Sequence, residues 1–220
     1  MEVGILGGTG PAGSGLAARL AAAGLTVAIG SRSKDKAQEV VTALLERWPG
    51  RELALSAADN PMAAEAGIVV VATPWEAAAA TAGSVAPQLE GKVVISMANA
   101  LTRMGHEFEP LVPPRGSVAA HVQSAVPGSL VVAAFQHLPA KALANLDLPV
   151  ESDVLIASDH AEAFEATARL VSLIPDLRPL NAGSIANAAP IESFTAVLLQ
   201  LNVRYRTRAA LRLTGIELPT

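Results

Sequence analysis

The stretch Val3-Gly4-Ile5-Leu6-Gly7-Gly8-Thr9-Gly10-Pro11-Ala12-Gly13-Ser14-Gly15 decides the fold of this chain. A short apolar run meets a glycine-rich turn, and the Ala- and Leu-rich residues 16–23 then read as a helix. Gly8, Gly10 and Gly13 allow a tight turn, a close approach of backbone to a diphosphate, and close packing of helix on strand. Because a second apolar strand follows at residues 26–30, this context predicts a nucleotide site.

Strand and helix patterns alternate along most of the chain. Apolar runs predict strands at residues 3–6, 26–30, 53–56, 68–72, 92–96, 131–135 and 154–157, and longer periodic segments predict helices at 35–48, 117–125 and 159–173. This alternation predicts an α/β fold, a Rossmann-type doubly wound, mostly parallel sheet. We expect a loop over residues 105–116, and residues 177–180 leaving the sheet. The predicted domains are a nucleotide-binding Rossmann domain (1–182) and a small C-terminal helical domain (183–220).

Composition excludes several classes of function. The 220 residues carry a formal net charge of −4 and no cysteine, and 51% of them are hydrophobic. The charge gives no general reason to expect nucleic acid or an acidic membrane surface as a partner. The lack of cysteine excludes disulfides and thiol catalysis and fits a cytoplasmic protein. No run approaches the roughly 20 apolar residues of a membrane-spanning helix, so we expect no membrane association.

The end of the second strand indicates which dinucleotide is bound. An NAD-specific fold usually places an acidic residue here, whereas an NADP-specific fold places cations and hydroxyls that bind the 2′-phosphate. This chain has Ser31, Arg32, Lys34 and Lys36 and no acid at the strand tip. Ser31 and Arg32 together favour NADP, with Lys36 as an added charge, while Lys34 fits a solvated helix start.

Three further strands end on the side where a ligand is expected, because ligands of such sheets bind at the carboxyl ends of the strands. The strand at 68–72 ends in Thr73-Pro74-Trp75, whose ring is suited to walling off a nicotinamide; alternatively, Pro74 begins a helix and Trp75 fills the core. Asn99 follows the strand at 92–96, and Gln136-His137-Leu138 follows the strand at 131–135.

The last part of the chain has helical spacing. The apolar positions are Ile191, Phe194, Val197, Leu198, Leu201 and Tyr205. A short appendage of this kind rarely buries its own core, so we expect a homodimer formed through the C-terminal helices.

Taken together, these segments resemble the NADPH:coenzyme F-420 oxidoreductase family, the reductases of an 8-hydroxy-5-deazaflavin. The resemblance runs nearly from end to end. Its landmarks are Leu6-Gly7-Gly8-Thr9-Gly10, Gly30-Ser31-Arg32-Ser33, Thr73-Pro74-Trp75, His137-Leu138-Pro139-Ala140, Asn145-Leu146, Arg178-Pro179-Leu180-Asn181-Ala182-Gly183, Ile185-Ala186-Asn187 and Ile191-Glu192.

The resemblance implies a role for each matching position. The residues expected to hold the adenosine 2′-phosphate are Thr9, Ser31, Arg32 and Lys36. The residues expected to hold the diphosphate are Gly8, Gly10, Pro11, Ala12 and Gly13. Those expected to flank the nicotinamide are Thr73, Pro74 and Trp75. Those expected to line the deazaflavin pocket are Asn99, Gln136, His137, Leu138 and the turn 185–187 with Asn187. The chain departs from many relatives at Gln136, where they have histidine, and at Ala100, where they have proline.

The implied reaction is a reversible hydride transfer between NADP(H) and coenzyme F-420, which requires two stacked rings and little from side chains. No metal site is expected. His137 has two interpretations: it donates a hydrogen bond to the deazaflavin, or it pairs with backbone and holds the turn at Pro139. Alternative functions are an NADPH-dependent reductase of another acceptor (a flavin, ferric chelate, carbonyl or imine) and a non-enzymatic NADP(H)-sensing module.

Overall fold

The computed structural model describes residues 2–217. Its strands are β1 (Glu2–Leu6), β2 (Thr26–Ser31), β3 (Leu55–Asp59), β4 (Ile68–Val71), β5 (Val93–Ser96), β6 (Leu101–Met104), β7 (Glu107–Pro110), β8 (Leu130–Ala133), β9 (Ser152–Ile156) and β10 (Leu177–Asn181). Its helices are α1 (Pro11–Ala22), α2 (Lys34–Arg47), α3 (Asn60–Ala63), α4 (Trp75–Gly83), α5 (Ala86–Leu89), α6 (Val118–Ala125), α7 (Ala140–Leu143), α8 (Ala161–Ser172) and α9 (Ala188–Tyr205), with a 3-10 turn η1 (Ile185–Asn187).

Six strands form the main sheet in the order β3-β2-β1-β4-β5-β8, and all of its neighbouring pairs are parallel. This confirms the predicted doubly wound α/β fold. The strand order reverses between β1 and β4, whose carboxyl ends lie side by side because Leu6 pairs with Val71. That reversal is the switch point at which such sheets bind ligands.

The sheet is buried on both faces, which explains why its strands read as continuous apolar runs. Alternate residues of each strand enter opposite clusters: Ile5 and Val70 pack with α1, α2 and α8, whereas Leu6 and Val71 pack with α4 and α6. The helices are therefore fixed on both sides, and the loops at the carboxyl edge stand on a rigid base.

One prediction about the second half of the chain was wrong, and one strand was missed. Within the expected loop 105–116 the chain forms β7, which pairs antiparallel with β6 across a turn at Gly105, whose φ is 62°. No strand was predicted over residues 177–180, which lie outside the main sheet and form β10, parallel to β9 over its whole length in a separate two-stranded sheet. The apolar alternation there is interrupted by Pro179, which an edge strand tolerates.

β9 is set apart from the main sheet, to which it is joined by a single antiparallel bridge between Ala133 and Ala157. The tail segment, residues 206–217, returns from α9 to this strand, and Asp153 N donates to Leu211 O at 2.7 Å. The predicted domain boundary at residue 183 falls between β10 and η1 and stays a prediction. None of the helices within residues 2–217 combines the length and the apolar character needed to cross a membrane.

Candidate functional site

The glycine turn joins β1 to α1 at the switch point. Gly7 has φ 64°, and Gly8 N donates to Gly30 O at 2.9 Å, which ties the turn to β2. α1 begins at Pro11, five residues before the predicted start at residue 16, because proline suits the first helical position. A Cβ on Gly13 would lie 2.8 Å from Gly8 Cα, so helix and turn pack as closely as the motif requires.

Gly10 is different, because neither its backbone nor its neighbours require glycine. Its φ is −75°, and a Cβ at this position would meet no atom of residues 2–217 within 4 Å. No side chain caps α1, and its first turn carries no acidic residue. The N–H groups of Ala12 and Gly13 have no carbonyl available one turn back in a helix that starts at Pro11, and the helix dipole is positive here. The open space over Gly10 therefore fits a diphosphate.

The tip of β2 carries the groups that we expect at the 2′-phosphate. Ser31 is buried, and its Oγ accepts from Ser33 N at 3.3 Å. Arg32 and Lys36 are exposed, and neither belongs to the ion pairs of residues 2–217. Thr9 is half-buried in the neighbouring turn. Two cations and a hydroxyl are thus free for an anion, and the residues fit a 2′-phosphate.

A cleft of about 380 Å³ opens between the carboxyl ends of β4 and β5. It brings together five of the residues proposed from sequence, and these are Ala12, Thr73, Pro74, Trp75 and Asn99. The sequence patterns did not point to the other lining residues, which are Ala72, Glu76, Met97, Ala98 and Leu101. Met97 and Ala98 could have been found from the sequence, because they directly follow β5 and so lie at the same edge of the sheet as the predicted residues.

Both interpretations of the Pro74-Trp75 segment find support in the structure. Pro74 is the N-cap of α4, and Trp75 packs half-buried against the core cluster that contains α4 and α6. The same two residues line the cleft. A Cβ on Gly7 would come within 2.3 Å of Thr73 Cγ2, so the β4 end is packed directly over the glycine turn.

The cleft holds buried polar atoms that lack a partner among the described residues. Thr73 Oγ1 and Asn99 Oδ1 are two of them. The other end of the Asn99 amide is used, because Nδ2 donates to Gln136 O at 2.6 Å and thereby joins the β5 end to the β8 end. Buried polar atoms are rarely left unpaired, so a ligand with donor groups fits this cleft.

The segment after β8 is buried. Gln136, His137 and Leu138 are 4%, 3% and 7% exposed, and Phe135 has a φ of 67°, which is strained for a non-glycine residue. The cleft lining does not include these residues. Both polar atoms of the Gln136 side chain lack a partner within residues 2–217.

The ring of His137 is held by backbone. Its Nε2 lies 2.7 Å from Asp153 O, and since a carbonyl only accepts, Nε2 carries the proton and donates it. Burial lowers the pKa of His137 and keeps the ring neutral. Its one N–H is therefore committed to Asp153, which favours the backbone-holding interpretation; a contact with the deazaflavin stays a prediction.

Asn187 lies in the exposed turn η1 rather than in the cleft lining. Its Nδ2 donates to Ala182 O at 2.5 Å, and Ala182 N donates to Ile156 O at 2.8 Å. The turn is thus fixed to the end of β9, close to the bridge with Ala133 at the carboxyl edge of the main sheet. Within residues 2–217, no cluster of three or more His, Asp or Glu side chains is arranged to hold a metal ion.

Comparison with known proteins gives the family. Residues 2–100 match the family model of the coenzyme F-420-dependent NADP oxidoreductases. The chain is 36% identical over 222 aligned residues to the F-420-dependent NADP reductase of Methanothermobacter thermautotrophicus, with 98% of this chain and 96% of that protein covered. This chain belongs to the F-420-dependent NADP reductase family.

A second relative agrees with this family, and a solved structure agrees with the fold. The F-420-dependent NADP reductase of Methanocaldococcus jannaschii is 35% identical over 224 aligned residues, which cover 99% of this chain and 100% of that protein. A crystal structure from an Arthrobacter species, described as a candidate F-420-dependent NADP reductase, superposes with a TM-score of 0.79 at 24% identity. It covers 97% of this chain and 99% of that one, and it supports the fold.

Proposed function

We propose that this F-420-dependent NADP reductase transfers a hydride reversibly between NADP(H) and coenzyme F-420. The observation that carries the proposal is the similarity over nearly the whole chain to proteins of that name. The geometry supports it at the glycine turn, where Gly10 leaves open space above an uncapped helix. The chemistry supplied by the bound coenzymes is a hydride given up at nicotinamide C4 and accepted at deazaflavin C5, or the reverse.

The protein's own part is to bind, orient and exclude water. The backbone of Gly8 to Gly13 holds the diphosphate at the α1 N-terminus, and Thr9, Ser31, Arg32 and Lys36 hold the 2′-phosphate. Thr73, Pro74 and Trp75 form one wall of the cleft and orient the nicotinamide. Since residues 2–217 place no nucleophile–base pair in the cleft lining, positioning rather than proton transfer accounts for the rate.

On the acceptor side, Asn99 has a dual role. Its Nδ2 donates to the Gln136 carbonyl, and its buried Oδ1 has no partner within residues 2–217. Gln136, His137 and Leu138 support this side from within the core, and Asn187 lies at its rim. Assignment of these residues to the deazaflavin pocket is part of the proposal.

The test is a spectroscopic assay with oxidised F-420 and either NADPH or NADH. We expect bleaching of the deazaflavin with NADPH and much slower bleaching with NADH. Equal rates would retain the enzyme and exclude the proposed 2′-phosphate site. If NADPH binds and F-420 is not bleached, the function is wrong, and flavins and ferric chelates are the next acceptors to assay.

We also propose a homodimer formed through α9. Phe194, Val197 and Leu201 are exposed on this helix at spacings of three and four residues, so they form an apolar stripe. A stripe of this kind pairs with its own copy across a twofold axis. Sedimentation velocity should give a dimer for the wild type and a monomer for Val197→Glu; a wild-type monomer at micromolar concentration would exclude it. Location in the cytoplasm and the lack of a nucleic-acid partner stay predictions.

A further inference from the structure

A buried carboxylate connects α9 to α6. Glu192 is 4% exposed, and its two oxygens accept from Val118 N at 2.8 Å and from Ala119 N at 3.1 Å. Ser117 Oγ accepts from the next amide, Ala120 N, at 3.0 Å. The first turn of α6 is therefore satisfied jointly by its own N-cap and by a side chain from more than 70 residues further along the chain.

This arrangement is costly for a helix cap. None of the ion pairs of residues 2–217 includes Glu192, so the charge is compensated by backbone N–H groups and the helix dipole alone. Burial raises the pKa of Glu192 to about 7, more than the two hydrogen bonds lower it. Because Ser117 already caps α6, the carboxylate adds a tertiary link: it fixes the first turns of α9 against α6.

The contact between Glu192 and α6 fixes a turn at the carboxyl edge of the main sheet. This turn, residues 183–187, directly precedes α9, and we call it the acceptor-side turn. Ala188 and Ile191 pack against Ala133, the last residue of β8, and Ala119 of α6. At its other end the turn is held by Asp159, whose Oδ1 accepts from Ile185 N at 3.1 Å.

We propose that Glu192 is a positioning residue for the hydride acceptor: by clamping α9 to the α6 N-terminus, it holds the acceptor-side turn where the deazaflavin binds. The inference rests on the proposed function. Glu192 itself lies outside the cleft lining and acts through the turn, which contains none of the residues assigned to NADP(H), so it affects binding of the acceptor and leaves binding of NADP(H) unchanged.

The test is the variant Glu192→Gln, which keeps the size of the side chain and directs an amide N–H toward one of the two backbone donors. We expect the KM for F-420 to rise about tenfold, while the KM for NADPH changes by less than about twofold. Hydrogen exchange of the amides in the acceptor-side turn should become faster. Glu165→Gln on α8, where the glutamate is exposed, is the matched control and should change none of these quantities.

The outcomes separate this inference from the proposed function. If the wild type does not reduce F-420, the proposed function fails, whereas faster exchange in Glu192→Gln still demonstrates the clamp. If the wild type is active and Glu192→Gln leaves the KM for F-420 unchanged, or raises both KM values equally, the positioning role is wrong.

A second variant covers the case in which Glu192→Gln does not fold. Asp159→Ala removes the other anchor of the same turn, and since Asp159 is exposed, the core is untouched. We expect the KM for F-420 to rise about threefold in this variant, with the KM for NADPH unchanged. An unchanged KM for F-420 would overturn the inference.

Discussion

The two halves of the proposed site are built in different ways. The half proposed for NADP(H) is assembled from neighbours in sequence: the glycine turn leads directly into α1, and the cations Arg32 and Lys36 lie between the end of β2 and the first turn of α2. The half proposed for the acceptor is assembled from distant segments, because Asn99 holds the carbonyl of Gln136 and Glu192 caps a helix that begins at Val118. Local sequence patterns encode the half proposed for NADP(H), whereas the half proposed for the acceptor depends on tertiary contacts. Substitutions in the two halves should therefore have different effects.

The largest expected effect tests the local half at Gly10. In Gly10→Val the side chain would occupy the space proposed for the diphosphate and displace charge-assisted hydrogen bonds, so we expect NADPH affinity to fall by about 4 kcal/mol, roughly a thousandfold. The melting temperature should stay within about 2 °C, because a Cβ at this position meets no atom of the described residues 2–217 within 4 Å. Isothermal titration and thermal unfolding measure the two quantities.

Gly67→Val is the matched control for Gly10→Val, since Gly67 also has open space around it and lies outside the cleft. Its NADPH affinity should equal that of the wild type. Gly13→Ala should behave in the opposite way and lose stability, because its Cβ would lie 2.8 Å from Gly8 Cα. Unchanged affinity in Gly10→Val would mean that the diphosphate binds elsewhere.

The next effect tests the long-range half through pH. The pKa of Glu192 is raised from 4.5 to about 7 by burial, so its contribution to stability is fully present below pH 4.5 and is lost as the pH rises through 7. We expect a loss of about 3 kcal/mol across this window, and a flatter profile in Glu192→Gln. The elements α6 and β7 pack against α9, and their titratable groups are His121, Glu107 and Glu109. Urea unfolding at a series of pH values measures the profile, and identical slopes in both proteins would contradict it.

A smaller effect concerns discrimination between dinucleotides. Arg32→Ala removes the charge-assisted contact that we propose with the 2′-phosphate, so kcat/KM for NADPH should fall about thirtyfold, or about 2 kcal/mol, with kcat/KM for NADH unchanged. Lys34→Ala is the control, because we assign Lys34 to the solvated start of α2. Equal losses with both coenzymes would show that Arg32 supports the fold of the turn rather than the phosphate.

The smallest effect concerns Asn99. Asn99→Ala breaks its 2.6 Å hydrogen bond to Gln136 O and should cost about 1 kcal/mol of stability, together with a severalfold rise in the KM for F-420. Denaturant unfolding and initial rates measure the two changes. If the KM for NADPH rises instead, Asn99 belongs to the half of the site that binds NADP(H).

The same contrast explains what the sequence could predict. Continuous apolar strands and the glycine spacing are enough to predict the main sheet, the switch point and the residues at the ends of β2 and β4. The hairpin β6–β7 was missed because its strands are short and half-exposed, without a buried alternating pattern. The burial of Gln136 and His137 depends on the left-handed backbone at Phe135 and on the carbonyl of Asp153, and no local pattern encodes either. In the sequence, Glu192 was noted only as one of the residues that carry the family resemblance, because its hydrogen-bond partners lie more than 70 residues earlier in the chain.

The tail segment is anchored by a buried carboxylate. The fully buried Asp153 accepts from Arg178 Nε at 2.6 Å and from Leu213 N at 2.6 Å, the latter 60 residues away in sequence. Closing a loop of this length costs conformational entropy, which hydrogen bonds to a charged group help to offset. Through Asp153 the tail segment is therefore joined to β9 and β10, and loss of this one carboxylate would leave the Arg178 guanidinium and Leu213 N without their shared acceptor.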